Sequence, residues 1–278
     1  MIRIEAPVAP AVALVFDSPH SGSQYPDDFG HAIDRSILRR SEDAHIEDLF
    51  APVTELGGTL LHALFPRCYL DPNRALEDLD LSMIDGDWPH AVAPSGKTRQ
   101  GKGLVWYRVK EHGPIYDRKL TAAEVQRRIE QCWQPYHAAI SRLLDEAHAR
   151  HGRFVHVNCH SMASRGDSFS EDGPVARPDF VLGDRDGSSC DPRITETAAA
   201  VLRELGYRVA VNDPYKGMEL VRRYSNPGRA RHSLQIEINR ALYMEETTIE
   251  RSDGYARLKA HLFELMRALA ALAREGLG

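Results

Sequence analysis

Cysteine is scarce in this 278-residue sequence, and its spacing excludes two common roles. A zinc knuckle and a disulfide framework both need cysteines in a close pattern, such as a C-x-x-C pair. No such pair occurs, so neither feature is predicted, and a reducing compartment, the cytoplasm, is the expected location. The four cysteines are Cys68, Cys132, Cys159 and Cys190.

Long apolar runs and an excess of basic charge are also missing. No apolar stretch approaches the roughly 18 residues that a transmembrane helix needs, so no membrane span is predicted. Residues 1–7 lack the basic start and the apolar core of a secretory signal peptide. The formal net charge of −5 does not favour nucleic acid or an anionic membrane as a partner.

Several motifs that mark common enzyme classes are absent. The sequence contains neither GxGxxG nor GxxxxGK[ST], so no phosphate-binding loop of a nucleotide-binding fold is predicted. It also lacks GxSxG, the strand-to-helix turn that carries the nucleophile of many serine hydrolases.

The sequence does contain alternating strand and helix patterns. This alternation predicts a single α/β domain over residues 1–278, with helices layered on a mixed, largely parallel sheet. Loops are expected at 75–104, which could act as a lid, and at 163–180. A capping box at Thr121 and Glu124 begins the longest helix, which Pro135 should split or kink. The predicted strands are 11–17, 59–64, 67–70, 154–162, 180–184, 207–211 and 232–239, and the predicted helices are 42–52, 121–151, 191–205 and 255–274.

Three of these strands deliver polar residues to one place. His20 follows the first strand, His160 ends the strand at 154–162, and Glu237 lies near the end of the strand at 232–239. Ligands of open α/β sheets bind at the carboxyl ends of the strands. The three side chains are therefore expected to form one site.

Histidines and a carboxylate in such a site could hold a catalytic zinc, which takes three protein ligands. His20 and His160 are the best nitrogen donors, although each could instead form ordinary hydrogen bonds. Asp43 is the predicted carboxylate ligand, and it could also simply cap its helix. Glu47, one helical turn later on the same face, is the alternative, and His45 points off that face.

Glu237 is the predicted general base. A carboxylate between Ile236 and Ile238, in a strand that reads as buried, is costly unless it is paired or functional. The alternative is a strand whose polar face meets solvent. Arg74 and Arg240 follow strands and could hold a substrate carboxylate in two parallel hydrogen bonds, and Lys216 could face the same cleft.

Seven short segments stand out in order along the chain: 18–22 (SPHSG), 43–45 (DAH), 71–74 (DPNR), 159–162 (CHSM), 181–184 (VLGD), 212–217 (NDPYKG) and 235–243 (QIEINRALY). Taken together, these segments resemble those of the N-formylglutamate amidohydrolases, which are zinc enzymes with a fold similar to that of zinc carboxypeptidases. The resemblance covers nearly the whole chain in order. Asn158 departs from the family pattern, in which an acidic residue is frequent at this position. An asparagine can still orient His160 by a hydrogen bond.

The resemblance implies a three-layer sandwich and hydrolysis of N-formyl-L-glutamate to formate and glutamate, as in histidine degradation. It implies that His20, His160 and an acidic residue, Asp43 or alternatively Glu47, bind Zn²⁺ or another divalent transition metal. Glu237 would be the acid/base, and Asn73 and Arg74 would hold a carboxylate of a small acidic N-acyl amino acid. Two rivals remain: a zinc deacylase or carboxypeptidase with another substrate, and a metal-free protein that binds a small ligand.

Overall fold

The structure is a computed structural model, and it describes residues 1–109, 112–167, 170 and 172–275. Its strands are β1 Ile2–Glu5, β2 Leu14–Ser18, β3 Thr59–Ala63, β4 Ile84–Asp85, β5 Arg108–Val109, β6 Gly113–Pro114, β7 Leu120–Thr121, β8 Phe154–Met162, β9 Phe180–Gly183, β10 Val209–Val211 and β11 Arg231–Asn239. Its α-helices are α1 Arg35–Arg39, α2 Ile46–Phe50, α3 Gly96–Arg99, α4 Ala122–Arg128, α5 Gln134–His151, α6 Pro192–Glu204, α7 Glu219–Tyr224 and α8 Tyr255–Glu275. None of the helices described is both long and apolar enough to cross a membrane.

A seven-stranded sheet in the order β1-β3-β2-β8-β11-β9-β10 forms the centre of the fold. β3, β2, β8 and β11 run parallel to one another, and β9 and β10 are parallel to each other. The antiparallel neighbours are β1 with β3 and β9 with β11. The sheet is therefore mixed and largely parallel, which confirms the predicted fold class.

Helices cover both faces of this sheet because successive strand residues point to opposite sides. Leu14 and Leu60 pack in one apolar cluster with α2, α6 and α8. Their neighbours Val15 and Leu61 pack in a second cluster with α4 and α5. The strands thus lie between two helical layers, as the three-layer expectation requires.

The three central strands place the polar residues at one edge of the sheet. β2, β8 and β11 are parallel neighbours, so their carboxyl ends meet there. Glu237 of β11 lies directly beside His160 of β8 in the register. His20 follows the end of β2 by two residues.

The predicted helix at 42–52 is wrong in its first part. α2 begins only at Ile46, because His45 has a φ of 68°, a left-handed conformation that a right-handed helix excludes. Asp43 lies in the turn before α2, whereas Glu47 lies inside it. The expectation that these two carboxylates share a helical face is therefore wrong as well.

The predicted strand at 67–70 is also wrong. Residues 67–69 form a turn, in which the Tyr69 amide donates to the Pro66 carbonyl at 3.0 Å. Cys68, Tyr69 and Leu70 are all buried without alternation. In so short an apolar run, the hydrophobic pattern alone does not distinguish a buried turn from a buried strand.

The long helical segment is interrupted just before Pro135, as the sequence predicted. A π-helical turn at Ile129–Trp133 joins α4 to α5, and Pro135 lies in the first turn of α5. The capping box of Thr121 and Glu124 is present. In the predicted loop at 75–104 short elements alternate with irregular chain. Residues 168, 169 and 171 of the second predicted loop lie outside the described residues.

Candidate active site

His20, Asp43 and His160 form a buried cluster that could hold a metal ion. Their ligand atoms all lie within 4.8 Å of one another. Asp43 Oδ2 is 3.3 Å from His20 Nδ1 and 3.0 Å from His160 Nδ1, so both imidazoles turn the same nitrogen towards it. The structure thus brings together the three residues that the sequence proposed as ligands.

The other imidazole nitrogens bind acceptors on the protein. His20 Nε2 lies 2.6 Å from Asp71 Oδ1, and His160 Nε2 lies 2.7 Å from Asn158 Oδ1. A proton on each Nε2 leaves the Nδ1 lone pair for a metal, the arrangement common among histidine ligands. His20 Nδ1 is buried and has no hydrogen-bond partner within the described part of the chain. That orphaned acceptor fits a metal ligand.

The charges of the cluster also suit a cation. Burial lowers the pKa of His160 to about 4, although Asp43 opposes the shift, so the imidazole is neutral near pH 7. Burial alone would raise the pKa of Asp43. The Arg67 charge and the two neighbouring histidines outweigh that effect and hold its pKa well below 3.8. Two imidazoles that face an anionic carboxylate are donors that Zn²⁺ prefers.

Two arginines orient Asp43 by binding its other oxygen. Oδ1 lies 2.9 Å from Arg240 Nη2 and 3.5 Å from Arg67 Nη1, which leaves Oδ2 for the histidine side. Arg240 also donates to Ser161 Oγ at 3.0 Å and to the Glu42 carbonyl at 2.7 Å. Arg240, predicted to bind substrate, therefore contacts the candidate metal ligand itself.

Asp71 is a site residue that sequence reasoning missed. Besides His20, this buried carboxylate contacts Arg67 Nη2 at 3.2 Å and accepts from the Asn73 amide at 2.9 Å. Burial opposes ionisation, but His20, Arg74 and Arg67 hold its pKa well below 3.8. Its position next to Pro72 reads as a surface turn. The signal that could have found it is the apolar run that it ends.

Glu237 faces the cluster from the neighbouring strand. Its carboxylate is buried, and Gln235 Nε2 donates to Oε1 at 3.0 Å. Burial and the negative charge of Asp43 raise its pKa to about 8, against the opposing charges of Arg67 and other arginines. A carboxyl group that can hold or release a proton near neutral pH is suited to general acid–base chemistry.

This raised pKa predicts a pH-dependent stability difference in the metal-free protein. The unfolded pKa is near 4.5, so ionisation of Glu237 destabilises the fold increasingly between about pH 4.5 and 8. Glu237→Gln removes that penalty, on the order of 3–5 kcal/mol at pH 8 and above. In chelator-treated protein, the melting temperatures of variant and wild type should agree near pH 5 and diverge by pH 8.5, with the variant higher. Equal melting temperatures of the two proteins at both pH values would contradict a raised pKa of Glu237.

Glu47 belongs to a different place in the fold. It lines a separate cavity of about 410 Å³ with Ser21 and His62. Burial raises its pKa. The structure therefore groups Asp43, and not Glu47, with the two histidines.

The cluster opens into a cavity of about 370 Å³ that His20, His160 and Glu237 line. A neighbouring cavity of about 410 Å³ shares Arg67 and Trp106 with it and contains Arg240. The basic residues lining the first cavity are Arg67, Arg74, Lys97, Lys102 and Lys216.

The predicted substrate-binding residues have different surroundings. Arg74 is buried and donates to the carbonyls of Lys102 and Asn73 at 3.1 and 3.0 Å. The Lys216 side chain lines the same cavity as the histidines, but it is 58 % exposed and its ammonium pairs with Asp186 at 3.0 Å. Arg67, which the sequence reading did not single out, reaches closer to the cluster than either.

Asn73 is held with its amino group towards the site. The Leu220 amide of α7 donates to Asn73 Oδ1 at 2.9 Å, so Nδ2 is turned to His160 Nε2, 3.2 Å away. When Nε2 carries the proton, two donors face each other there. The Asn73 amino group is then better satisfied by an acceptor on a ligand in the cavity.

Comparison with known proteins identifies the family. A sequence model described as N-formylglutamate amidohydrolase matches residues 12–244. The chain belongs to this family. It is similar to the crystal structure of N-formylglutamate amidohydrolase from Ralstonia eutropha JMP134, with 47 % identity, a TM-score of 0.95 and 99 % of each chain covered.

Two family relatives are N-formylglutamate deformylases by name. The chain is 30 % identical to the protein of Pseudomonas putida, with 94 % of each chain covered. It is 28 % identical to the protein of Pseudomonas aeruginosa, with 95 % of each chain covered.

Proposed function

We propose that the protein is a zinc-dependent amidohydrolase that cleaves N-formyl-L-glutamate to formate and glutamate. The observation that carries this proposal is a buried carboxyl group, Glu237, beside the His20, Asp43 and His160 cluster at the wall of a basic cavity. Family membership and the names of the similar proteins support the substrate.

His20 Nδ1, Asp43 Oδ2 and His160 Nδ1 would hold the metal. These two nitrogens and one oxygen are the kind of set that a catalytic zinc uses, with a further position left for water or substrate. When bound there, Zn²⁺ supplies Lewis acidity, which makes a water more acidic and polarises the carbonyl group. Asp71 and Asn158 orient the imidazoles, and Arg240 orients the carboxylate.

Glu237 moves the proton. It accepts a proton from the water that attacks the formyl carbon, and it then gives this proton to the leaving amine nitrogen of glutamate. In the metal-free protein, burial and Asp43 raise the pKa of this carboxyl group to about 8, so it can hold or release a proton near neutral pH.

The basic cavity suits a substrate with two carboxylates. Arg67 carries its charge between Asp43 and Asp71, lies over the Trp106 ring at 5.1 Å, and is 15 % exposed to the cavities. A guanidinium there can attract a substrate carboxylate or the oxygen that becomes negative during attack. Asn73 donates to the substrate with its amino group, and Arg74 adds positive charge to the wall.

The deciding experiment measures formate release from N-formyl-L-glutamate before and after chelator treatment. Activity should disappear on chelation and return with zinc. N-formyl-L-glutamine, which lacks the side-chain charge, should be cleaved with a kcat/KM lower by about 10-fold or more, the loss of one charged contact.

The same experiment separates the rival functions. Stoichiometric zinc without formate release would indicate a deacylase or carboxypeptidase with another substrate. Neither zinc binding nor formate release would indicate a ligand-binding protein without a metal. Equal cleavage of the glutamine analogue would contradict the role of the basic wall.

A further inference from the structure

A polar network lies beneath the cluster, between the sheet and α5, and does not touch the cavity. Its members belong to β2, β8, β11 and α5, and none exposes more than a negligible fraction of its surface. Burying so many polar groups is costly unless every one is hydrogen-bonded, and an ordered network of this kind fixes side-chain orientations. The members are Asp17, Tyr136, His156, Asn158 and Ser233.

Asn158 connects this network to the cluster, and its two ends are not equivalent. Nδ2 donates to Asp17 Oδ1 at 2.8 Å, and Oδ1 accepts from His160 Nε2 at 2.7 Å. An amide can only donate at one end and accept at the other. Whatever lies at Asp17 therefore decides which end of Asn158 faces His160.

Asp17 is an acceptor at both oxygens. Oδ1 also accepts from His156 Nε2 at 2.9 Å, and Oδ2 accepts from the Tyr136 hydroxyl at 2.6 Å. Burial opposes its ionisation, but His156 and the hydrogen bonds from Tyr136 and Asn158 lower its pKa. An ionised carboxylate admits only donors, so the Asn158 amino group has to face it.

We propose that Asp17 is a positioning residue that sets the tautomer of His160 through Asn158. The carboxylate turns the Asn158 carbonyl oxygen to His160, this oxygen requires a proton on Nε2, and Nδ1 is left with a lone pair for the metal. This inference rests on the proposed metal site. The two histidines differ in how a carboxylate orients them. Asp71 binds His20 Nε2 directly, whereas Asp17 acts on His160 through Asn158.

Replacement of Asp17 by asparagine removes the constraint. The amide at position 17 can donate or accept, so Asn158 is free to turn its amino group to His160. That orientation favours a proton on Nδ1, the nitrogen that the metal needs. Asp17→Asn is expected to weaken zinc binding by about 10- to 100-fold, as for other hydrogen-bond partners of metal ligands.

A swap of the two side chains should restore the constraint. In Asp17→Asn/Asn158→Asp, the carboxylate at position 158 accepts from His160 Nε2 directly. The amide at position 17 donates to that carboxylate and to His156 Nε2, and its oxygen accepts from Tyr136. The His156 proton then moves to Nδ1, where Ser233 Oγ accepts it, so every group keeps a partner.

The test compares zinc dissociation constants, measured by competition with a chromophoric chelator. Relative to wild type, Asp17→Asn should be weaker by about 10- to 100-fold and the swap within about threefold. Ser233→Ala is the matched control. It removes a buried hydroxyl at the far end of the network and should bind zinc within about threefold of wild type. Wild-type affinity in Asp17→Asn, or a swap as weak as Asp17→Asn, would overturn the proposal.

A second measurement needs no change in the network. Nitrogen-15 NMR of the metal-free wild type reports the His160 tautomer, with the signal assigned by comparison with His160→Gln. A proton on Nε2 is expected, and a proton on Nδ1 would overturn the proposal even if Asp17→Asn does not fold. Wild-type protein that shows the Nε2 proton but binds no zinc would refute the metal site and leave the tautomer assignment standing.

Discussion

Glu237→Gln is expected to lower kcat for formate release by about 10²- to 10⁴-fold, the usual contribution of a general acid–base group. Glutamine has nearly the same shape but cannot accept and return a proton. The KM should change little, because the basic residues of the cavity, and not Glu237, attract the substrate carboxylates. Stopped assays of formate at saturating substrate measure this loss.

The zinc content of this variant decides the role of Glu237. The His20, Asp43 and His160 cluster does not include Glu237, so bound zinc should remain stoichiometric. Glu246→Gln is a matched control, since it removes a carboxylate that lines the neighbouring cavity and accepts from the Ser164 amide. It should retain kcat within about threefold of wild type. Full activity in Glu237→Gln would exclude proton transfer by this residue, and loss of zinc would make it a ligand.

The second large effect is expected for Asp43→Asn, which should lose both zinc and activity. Loss of a hydrogen-bond partner of a ligand already costs about 10- to 100-fold in metal affinity, so loss of a ligand charge should cost at least about 100-fold. The variant also removes the carboxylate that pairs with Arg240, whereas Arg67 keeps its ion pair with Asp71. Loss of one partner from a largely buried ion pair costs up to about 3–5 kcal/mol, and the melting temperature should therefore fall.

Glu47→Gln is the matched control for Asp43→Asn, because it makes the same kind of change four residues later. Glu47 lines a separate cavity, and its Oε2 has no partner within the described residues. Zinc affinity and activity should stay within about threefold of wild type. Metal analysis and formate assays on both variants distinguish the two carboxylates. A loss of zinc in Glu47→Gln with normal binding in Asp43→Asn would reverse the assignment.

Much of the fold followed from local pattern. The strand at Phe154–Met162 was predicted with its observed bounds, because an apolar, β-branched run between a helix stop and a polar turn has few other solutions. The capping box of Thr121 and Glu124 was predicted as well, since its four residues suffice to define it. Features determined within a few neighbouring residues are the ones that sequence reasoning reaches.

The errors arose where the backbone departs from local preference. The sequence pattern at 42–52 does not indicate that His45 has a left-handed backbone conformation. Because of this residue, α2 begins after Asp43, and Asp43 does not lie on a face of the helix. The apolar run at 67–70 could be a strand or a turn, and only its packing selects the turn. Arg67 was consequently overlooked, although its guanidinium contacts both Asp43 and Asp71.

By itself, the sequence determined the alternation of strands and helices, the family motifs, and the residue types from which a metal site can be built. Only the tertiary structure decided which of these residues meet and through which atoms. His160 and Asp43 are 117 positions apart, and Asn158 and Asp17 are 141 apart. Hydrogen bonds between residues so far apart in the sequence depend on strand register and on the residue at which each helix begins. These are set by packing of the whole chain, so the Nδ1 orientation of both histidines could be read only from the fold.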